Sequence, residues 1–211
     1  YPRDVNRDVM ILKNSGFVDA VYIPEIADIY PEKTESKSYN FDGLENEMEG
    51  KSRPGHFDGV GTVVEELFRQ VKPDNAYFGE KDFQQLAIIK KMVEKNKIPV
   101  VIKGVKIHRA DNGLALSSRN QRLTEDRRNA AKIIFETLED VKIWFKKDSP
   151  GEISKKVKDV FDDQPGMVLE YFMIADEKTL QEAATFYKDK IYRAFIVVVV
   201  DGIRLIDNME L

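Results

Sequence analysis

An alternation of two periodicities in the first half of the chain restricts the fold more than any other feature. Val18-Asp19-Ala20-Val21-Tyr22-Ile23, closed by Pro24, reads as a strand, Ala76-Tyr77-Phe78 after Pro73 as a short buried one, and Pro99 to Val105 as a third. Val60, Val63, Val64, Leu67, Phe68 and Val71 recur at helical spacing before the second strand, and Phe83, Leu86, Ile89, Met92 and Val93 before the third. Strand, helix, strand, helix, strand is the pattern of a parallel sheet with right-handed crossovers, which takes its ligands outside the carboxyl ends of the strands. A helix from about Asp4 to Asn14 is predicted ahead of them, with Asp4 as N-cap and Gly16 as its stop.

The segment from Glu25 to Gly55 is polar and irregular, with Lys37 to Phe41 as one extended piece. An irregular loop of that length is usually functional or mobile. After Ile107 the pattern changes. His108 to Arg122 is a polar connector, and Leu123 through about Lys147 reads as one long amphipathic helix with Thr124 as N-cap and Glu125 and Asp126 at its positive end. Pro150 and Gly151 break it, and a second helix is predicted over about Glu152 to Phe161. Strands follow at Val168 to Ile174 and Ile191 to Val200, flanking a short helix near Leu180, with a last strand over Arg204 to Asp207. The expected fold is α/β: a Rossmann-like parallel sheet within residues 1–107, and a smaller α+β domain with antiparallel strands over 108–211. Tyr77, Phe78 and Phe83 are expected in the core.

Charge limits the partners. A formal net charge of −4 offers no global attraction to nucleic acid or an anionic membrane, so an anionic ligand has to be held locally, by groups such as Lys81 and Arg119, and a small substrate is expected. No window approaches the ~18 consecutive apolar residues of a membrane span. The absence of cysteine excludes disulfides and thiolate metal sites and fits the cytoplasm.

Two words carry chemistry. Gly79-Glu80-Lys81-Asp82-Phe83-Gln84-Gln85 puts a cation, two carboxylates and two amides at a strand-to-helix turn. Leu116-Ser117-Ser118-Arg119-Asn120 puts two hydroxyls and a guanidinium in a short loop. Phosphate chemistry needs fixed positive charge and donors that follow a negative group into the transition state, and these two segments supply both, as in an enzyme that handles a nucleoside triphosphate. The plain alternatives are a solvated Lys81–Asp82 pair and a Ser/Asn turn that merely starts the next helix. His56 and His108 are the two histidines, and each has an ordinary surface or core reading. No His, Asp or Glu cluster has metal-ligand spacing, so Mg2+ is expected to arrive on the nucleotide phosphates.

Arg53-Pro54-Gly55-His56-Phe57-Asp58-Gly59-Val60, then Phe78-Gly79-Glu80-Lys81-Asp82 with Gln84-Gln85, then Gly113-Leu114-Ala115-Leu116-Ser117-Ser118-Arg119-Asn120, together strongly resemble the pantoate–beta-alanine ligase (pantothenate synthetase) family. Tyr1-Pro2-Arg3 and Leu205-Ile206-Asp207-Asn208 match it too, so the resemblance covers nearly the whole chain. It implies an ATP-dependent condensation of pantoate with beta-alanine through a pantoyl adenylate, releasing pyrophosphate and then AMP. It implies roles as well: Gly79, Glu80, Lys81 and Asp82 on ATP, with Lys81 at the phosphates, and Gln85 on pantoate. Leu116, Ser117, Ser118 and Arg119 match a loop equivalent to the KMSKS segment of class I aminoacyl-tRNA synthetases, which closes over the triphosphate. His108 falls where the family's backbone meets adenine, at a usually apolar position. Arg53 and His56 lie on an active-site flap, and a homodimer is implied.

One departure stands out. The family's first strand, its HxGH loop and the asparagine and glutamine of its second strand precede the Tyr-Pro-Arg word. None of these is among the 211 residues. The chain opens directly before a helical segment, so strand and loop are expected ahead of it, and the 211 residues by themselves are expected to be inactive. Two rival readings are a nucleotidyltransferase of the same superfamily, from which Gln84-Gln85 after Lys81-Asp82 separates this chain, and a noncatalytic interaction fragment.

Overall fold

A computed structural model describes residues 4–30 and 35–211. The Tyr1-Pro2-Arg3 word therefore lies outside the described residues. The chain divides into two units, Tyr1–Ser36 and Lys37–Leu211.

The first unit holds helix α1 (Val5–Ser15) and the single turn α2 (Ile26–Ile29). Asp4 caps α1 by accepting the Arg7 N–H, and Gly16 stops it in the left-handed conformation at φ 72°, both as expected. Val18 to Ile23 carries no strand ladder among the described residues, contrary to expectation. Apolar, β-branched composition favours a strand, but a strand exists only where a neighbour takes its N–H and C=O groups.

The second unit begins with short helical turns, a 3-10 turn Leu44–Asn46 and α3 (Met48–Ser52), in a stretch expected to be irregular. Helix α4 (His56–Val71), strand β1 (Asn75–Gly79), helix α5 (Phe83–Asn96) and strand β2 (Val101–Val105) follow. β1 and β2 pair in parallel from Asn75 opposite Val101 to Gly79 opposite Val105, with α5 as the crossover. The α/β pattern holds, with two strands in the parallel ladder among the described residues. Tyr77 does not join the core; it is 64 % exposed, because successive strand residues face opposite sides and only the Ala76 and Phe78 side packs on the helices.

Two findings revise the second half. The stretch read as one helix is two, α6 (Glu125–Ala130) and α7 (Ile133–Trp144), with Thr124 capping the first as expected. Between them the ladder tightens to 3-10 bonds, Lys132 to Asn129, Ile134 to Ala131 and Phe135 to Lys132, which resets the buried face. Pro150 starts α8 (Pro150–Asp162), because its missing N–H costs nothing in a first turn and Ser149 with Glu152 forms a capping box ahead of it.

Strands β3 (Met167–Asp176), β4 (Tyr192–Val200) and β5 (Ile203–Glu210) form an antiparallel sheet in the order β3-β4-β5. The helix expected near Leu180 is replaced by a turn. Asp176 Oδ1 accepts the N–H groups of Lys178 and Thr179 and the Thr179 hydroxyl, so a side chain takes the donors that would have opened a helix.

β4 is buried on both faces. Ala194, Ile196, Val198 and Val200 pack with Ile134, Leu138, Val141, Ile153 and Val157 of α7 and α8. Phe195 faces the other way, into a core of Phe41, Phe57, Phe68, Ile88, Ile89 and Met92. Burial on two sides explains why its sequence is a continuous apolar run instead of an alternation.

Candidate active site

The turn after β1 is a single 3-10 turn, Glu80–Asp82, leading into α5. Gly79 ends the strand at the carboxyl edge of the parallel pair, as the motif reading requires. Glu80 lies against β2 at Gly104, where an added Cβ would stand 2.9 Å from Glu80 Oε1. The Lys81 side chain is 19 % exposed and its Nζ lies 3.7 Å from Asp82 Oδ2, beyond hydrogen-bond length, while Asp82 faces solvent. Lys81 is thus a cation sheltered by its surroundings and only loosely paired, which suits a phosphate ligand.

Gln84 and Gln85 separate. Gln84 is buried and fully engaged: its Nε2 donates to the carbonyls of Leu44 and Glu47 at 2.8 Å each, and its Oε1 accepts the Glu49 N–H at 3.1 Å. Its amide holds the chain ahead of Arg53, with both of its hydrogens committed. Gln85, half-buried on the next position of α5, takes no part in that set.

The second word follows a tight hairpin. Arg109 bridges to Ala115, Leu116 donates its N–H to the His108 carbonyl at 2.9 Å, and Asn112-Gly113 make the turn with Gly113 at φ 88°. His108 itself is exposed, with its carbonyl already used by that bond. Ser117 Oγ accepts the Arg119 N–H at 3.2 Å and opens a 3-10 turn over Ser118–Arg122. Leu116, Ser117 and Ser118 line a cavity of about 720 Å³ together with Asp111, Asn120 and Arg128. Asn120 donates to the Ala115 carbonyl at 3.0 Å and fixes the loop from beneath.

Both words dock on β5. Arg119 Nη1 donates to the Arg204 carbonyl at 3.1 Å, and Asn208 Nδ2 donates to the carbonyls of Glu80 and Lys81 at 2.9 Å each. Residues 204 and 208 lie roughly 13 Å apart along a strand at ~3.3 Å per residue. Asp207 pairs with Arg109 through two bonds, 2.6 and 3.0 Å, and Arg109 also donates to the Gly113 carbonyl at 3.0 Å while lying 4.4 Å over the Phe135 ring. Burial pushes the Asp207 carboxyl up, opposed by the Arg109 guanidinium, the Asn208 N–H and the charge of Lys81.

Arg53 and His56 line a second cavity, of about 420 Å³, with Tyr39, Glu45, Lys51 and Asp58, and it shares no residue with the Ser117 cavity. Arg53 Nη1 lies 3.4 Å from His56 Nε2, and burial and then the Arg53 charge hold that imidazole below its ordinary value. Just ahead of them in the chain, Glu49 of α3 is gripped by Arg204 at 3.0 and 2.5 Å, and the same guanidinium holds Glu170 at 2.8 Å. Sequence reasoning singles out neither Arg109 and Arg204 nor the structural use of Gln84.

The Pantoate-beta-alanine ligase family model matches residues 1–210. A pantothenate synthetase of Flavobacterium psychrophilum is 53% identical over 100% of this chain and 75% of its own length. The solved pantothenate synthetase of Thermus thermophilus superimposes with a TM-score of 0.89 at 35% identity, over 100% of this chain and 75% of that one. A pantoate-beta-alanine ligase of Francisella tularensis, solved in complex with beta-gamma ATP and beta-alanine, gives a TM-score of 0.74 at 32% identity, over 100% of this chain and 71% of that one.

Proposed function

The chain belongs to the pantoate–beta-alanine ligase family, and from that premise we propose that it serves the ATP-dependent condensation of pantoate with beta-alanine to pantothenate. The observation that carries the site assignment is the shared docking of two phosphate-type segments, the Lys81 turn and the Ser117–Arg119 loop, on one strand.

A carboxylate is a poor acyl donor until one of its oxygens becomes part of a good leaving group. In the first step a pantoate oxygen attacks the α-phosphorus of ATP, and the bond to pyrophosphate breaks. In the second, the beta-alanine amine attacks the acyl carbon, AMP leaves with the bridging oxygen, and the amine gives up a proton to solvent. Neither step needs a covalent enzyme intermediate, so the protein contributes position and charge.

Lys81 carries the charge that builds on the phosphates, with Gly79, Glu80 and Asp82 forming the turn that presents it. Leu116, Ser117, Ser118 and Arg119 form the loop over the triphosphate, the serines offering hydroxyl donors and Arg119 a guanidinium from the other side, with the His108 backbone toward the adenine and Gln85 toward pantoate. Residues 1–107 act as the nucleotide-binding part and 108–211 as the part that closes over it. Mg2+ would arrive bound to the triphosphate, where it would neutralise charge on the phosphate oxygens. The family reading also carries a homodimer and a cytoplasmic location. No helix among the described residues is long and apolar enough to cross a membrane.

The 211 residues contain no HxGH word, and by themselves are proposed not to turn over. The test is AMP release by the full-length protein with ATP, pantoate and beta-alanine, omitting each in turn. Release that requires pantoate supports the reading; AMP transferred to a phosphorylated acceptor in its place would favour a nucleotidyltransferase. Ordinary turnover by the 211 residues alone would remove the inactivity proposal.

A further inference from the structure

β5 carries two buried polar residues side by side, Asp207 at 4 % and Asn208 at 2 % exposure. We propose that Asn208 is a positioning residue: acting from the antiparallel sheet, it sets the main chain of the Lys81 turn and thereby the place of the Lys81 ammonium. The proposal rests on the reading of Lys81 as a phosphate ligand.

All of the Asn208 side chain is committed. Its two Nδ2 hydrogens go to the Glu80 and Lys81 carbonyls, and its Oδ1 accepts from Arg193 Nη1 at 2.8 Å. Arg193 is itself fixed on the remaining sides, by Glu177 Oε1 at 3.0 and 2.7 Å and by the Phe83 ring 4.0 Å from its guanidinium. Phe83 is the first residue of α5. One arginine therefore grips the start of the helix through a ring and the turn before it through an amide.

A three-residue 3-10 turn has little internal hydrogen bonding to define it, so the direction of its carbonyls is set by whatever donates to them. Here the Asn208 amide donates to two of them from outside the turn. The Asn208 N–H also donates to Asp207 Oδ1 at 2.8 Å, and Asp207 holds Arg109 at the base of the hairpin that leads to Ser117. Two neighbouring residues of one strand thus index both halves of the site to each other.

The chemistry of the amide makes the role testable without emptying the space. An aspartate in its place has the same shape and satisfies Arg193 equally, but has no hydrogen for either carbonyl and sets negative charge against both. Asn208→Asp is thus expected to keep the sheet and lose the turn geometry.

The experiment measures pantoate-dependent exchange of pyrophosphate into ATP by the full-length protein, for wild type and for Asn208→Asp, Asn208→Ala and Asn208→Ser, with melting temperature and amide exchange of residues 80–84. The expected result for Asn208→Asp is a kcat lowered about 100-fold, as for an ångström-scale misplacement of a reacting group. The KM for ATP rises and that for pantoate stays within about twofold, because Gln85 lies on α5 outside the turn. Alanine should behave like aspartate, and serine, which keeps one donor, should fall between them and wild type. Amides 80–84 should exchange faster in the aspartate and alanine variants.

A kcat within about threefold of wild type in both the aspartate and alanine variants would overturn the proposal. So would equal losses for ATP and pantoate that track melting temperature, or loss of the fold in all three, since Asn208 would then be holding the domain and not the turn. If wild type shows no exchange, the reading of function fails first, and this assignment with it.

Discussion

Replacing Gln84 by leucine removes a buried amide while keeping its bulk, and the cost follows from what it leaves behind. The Leu44 carbonyl loses a donor at a buried position, and the Glu47 carbonyl and Glu49 N–H lose partners at positions water partly reaches. A buried polar group left unpaired costs about 1–3 kcal/mol, and partly exposed ones less, so we expect a total of roughly 2–4 kcal/mol. For a chain of this size each kcal/mol moves the melting temperature by about 2–4 °C, which predicts a fall of roughly 4–16 °C by circular dichroism. The kinetic signature is as informative. If Gln84 ties down the segment before the flap, the pantoate KM of the folded variant changes little; if it bound the hydroxy acid, KM would rise steeply while the melting temperature stayed put. A melting temperature within about 2 °C of wild type would refute the reasoning.

Three further outcomes are expected. Arg109→Ala should cost about 3–5 kcal/mol in urea denaturation, because it strands the Asp207 carboxylate in the interior, and adding Asp207→Asn should recover a measurable part of that loss. Gly113→Ala should destabilise by more than about 1 kcal/mol and lower activity, since a Cβ would stand 2.1 Å from Phe135 Cδ1 at φ 88° and push the ring that supports Arg109. Hydrogen bonds from Arg69, at 2.9 and 2.5 Å, hold the Glu66 carboxyl down at about 2. A carboxyl lowered on folding adds stability above its unfolded value near 4.5 and loses it as pH falls toward 2, so the melting difference between wild type and Glu66→Gln, under about 1 kcal/mol at pH 7, should narrow between pH 5 and pH 3.

How much of this is legible in the sequence depends on whether the signal is local. The caps at Asp4, Gly16 and Thr124, and the periodicity of α4 and α5, are written in consecutive residues, and the structure follows them. Val18 to Ile23 reads as a strand because composition reports preference, while pairing depends on a partner that the segment does not name. The turn at Leu180 escapes because the competing hydrogen bonds come from one carboxylate, Asp176, whose use of nearby amides looks the same in sequence as a helix start. At the site, Lys81 and Ser117–Arg119 are visible as words, each beside a turn. What fixes them, Asp207, Asn208, Arg109 and Arg193, lies up to 128 residues away in sequence. The available signal is an Asp-Asn pair inside an otherwise apolar closing strand, where buried polar groups need partners.

The most direct measurement of the central claim is pyrophosphate exchange into ATP by the full-length protein, run with and without pantoate, for wild type, Lys81→Ala, Ser118→Ala and the double variant. If both segments hold one triphosphate, wild-type exchange requires pantoate, Lys81→Ala lowers it by about 100-fold or more while the protein stays folded, and the double variant loses less than the product of the single losses. Near-normal exchange by Lys81→Ala, or losses that simply multiply as for two independent sites, would contradict the account.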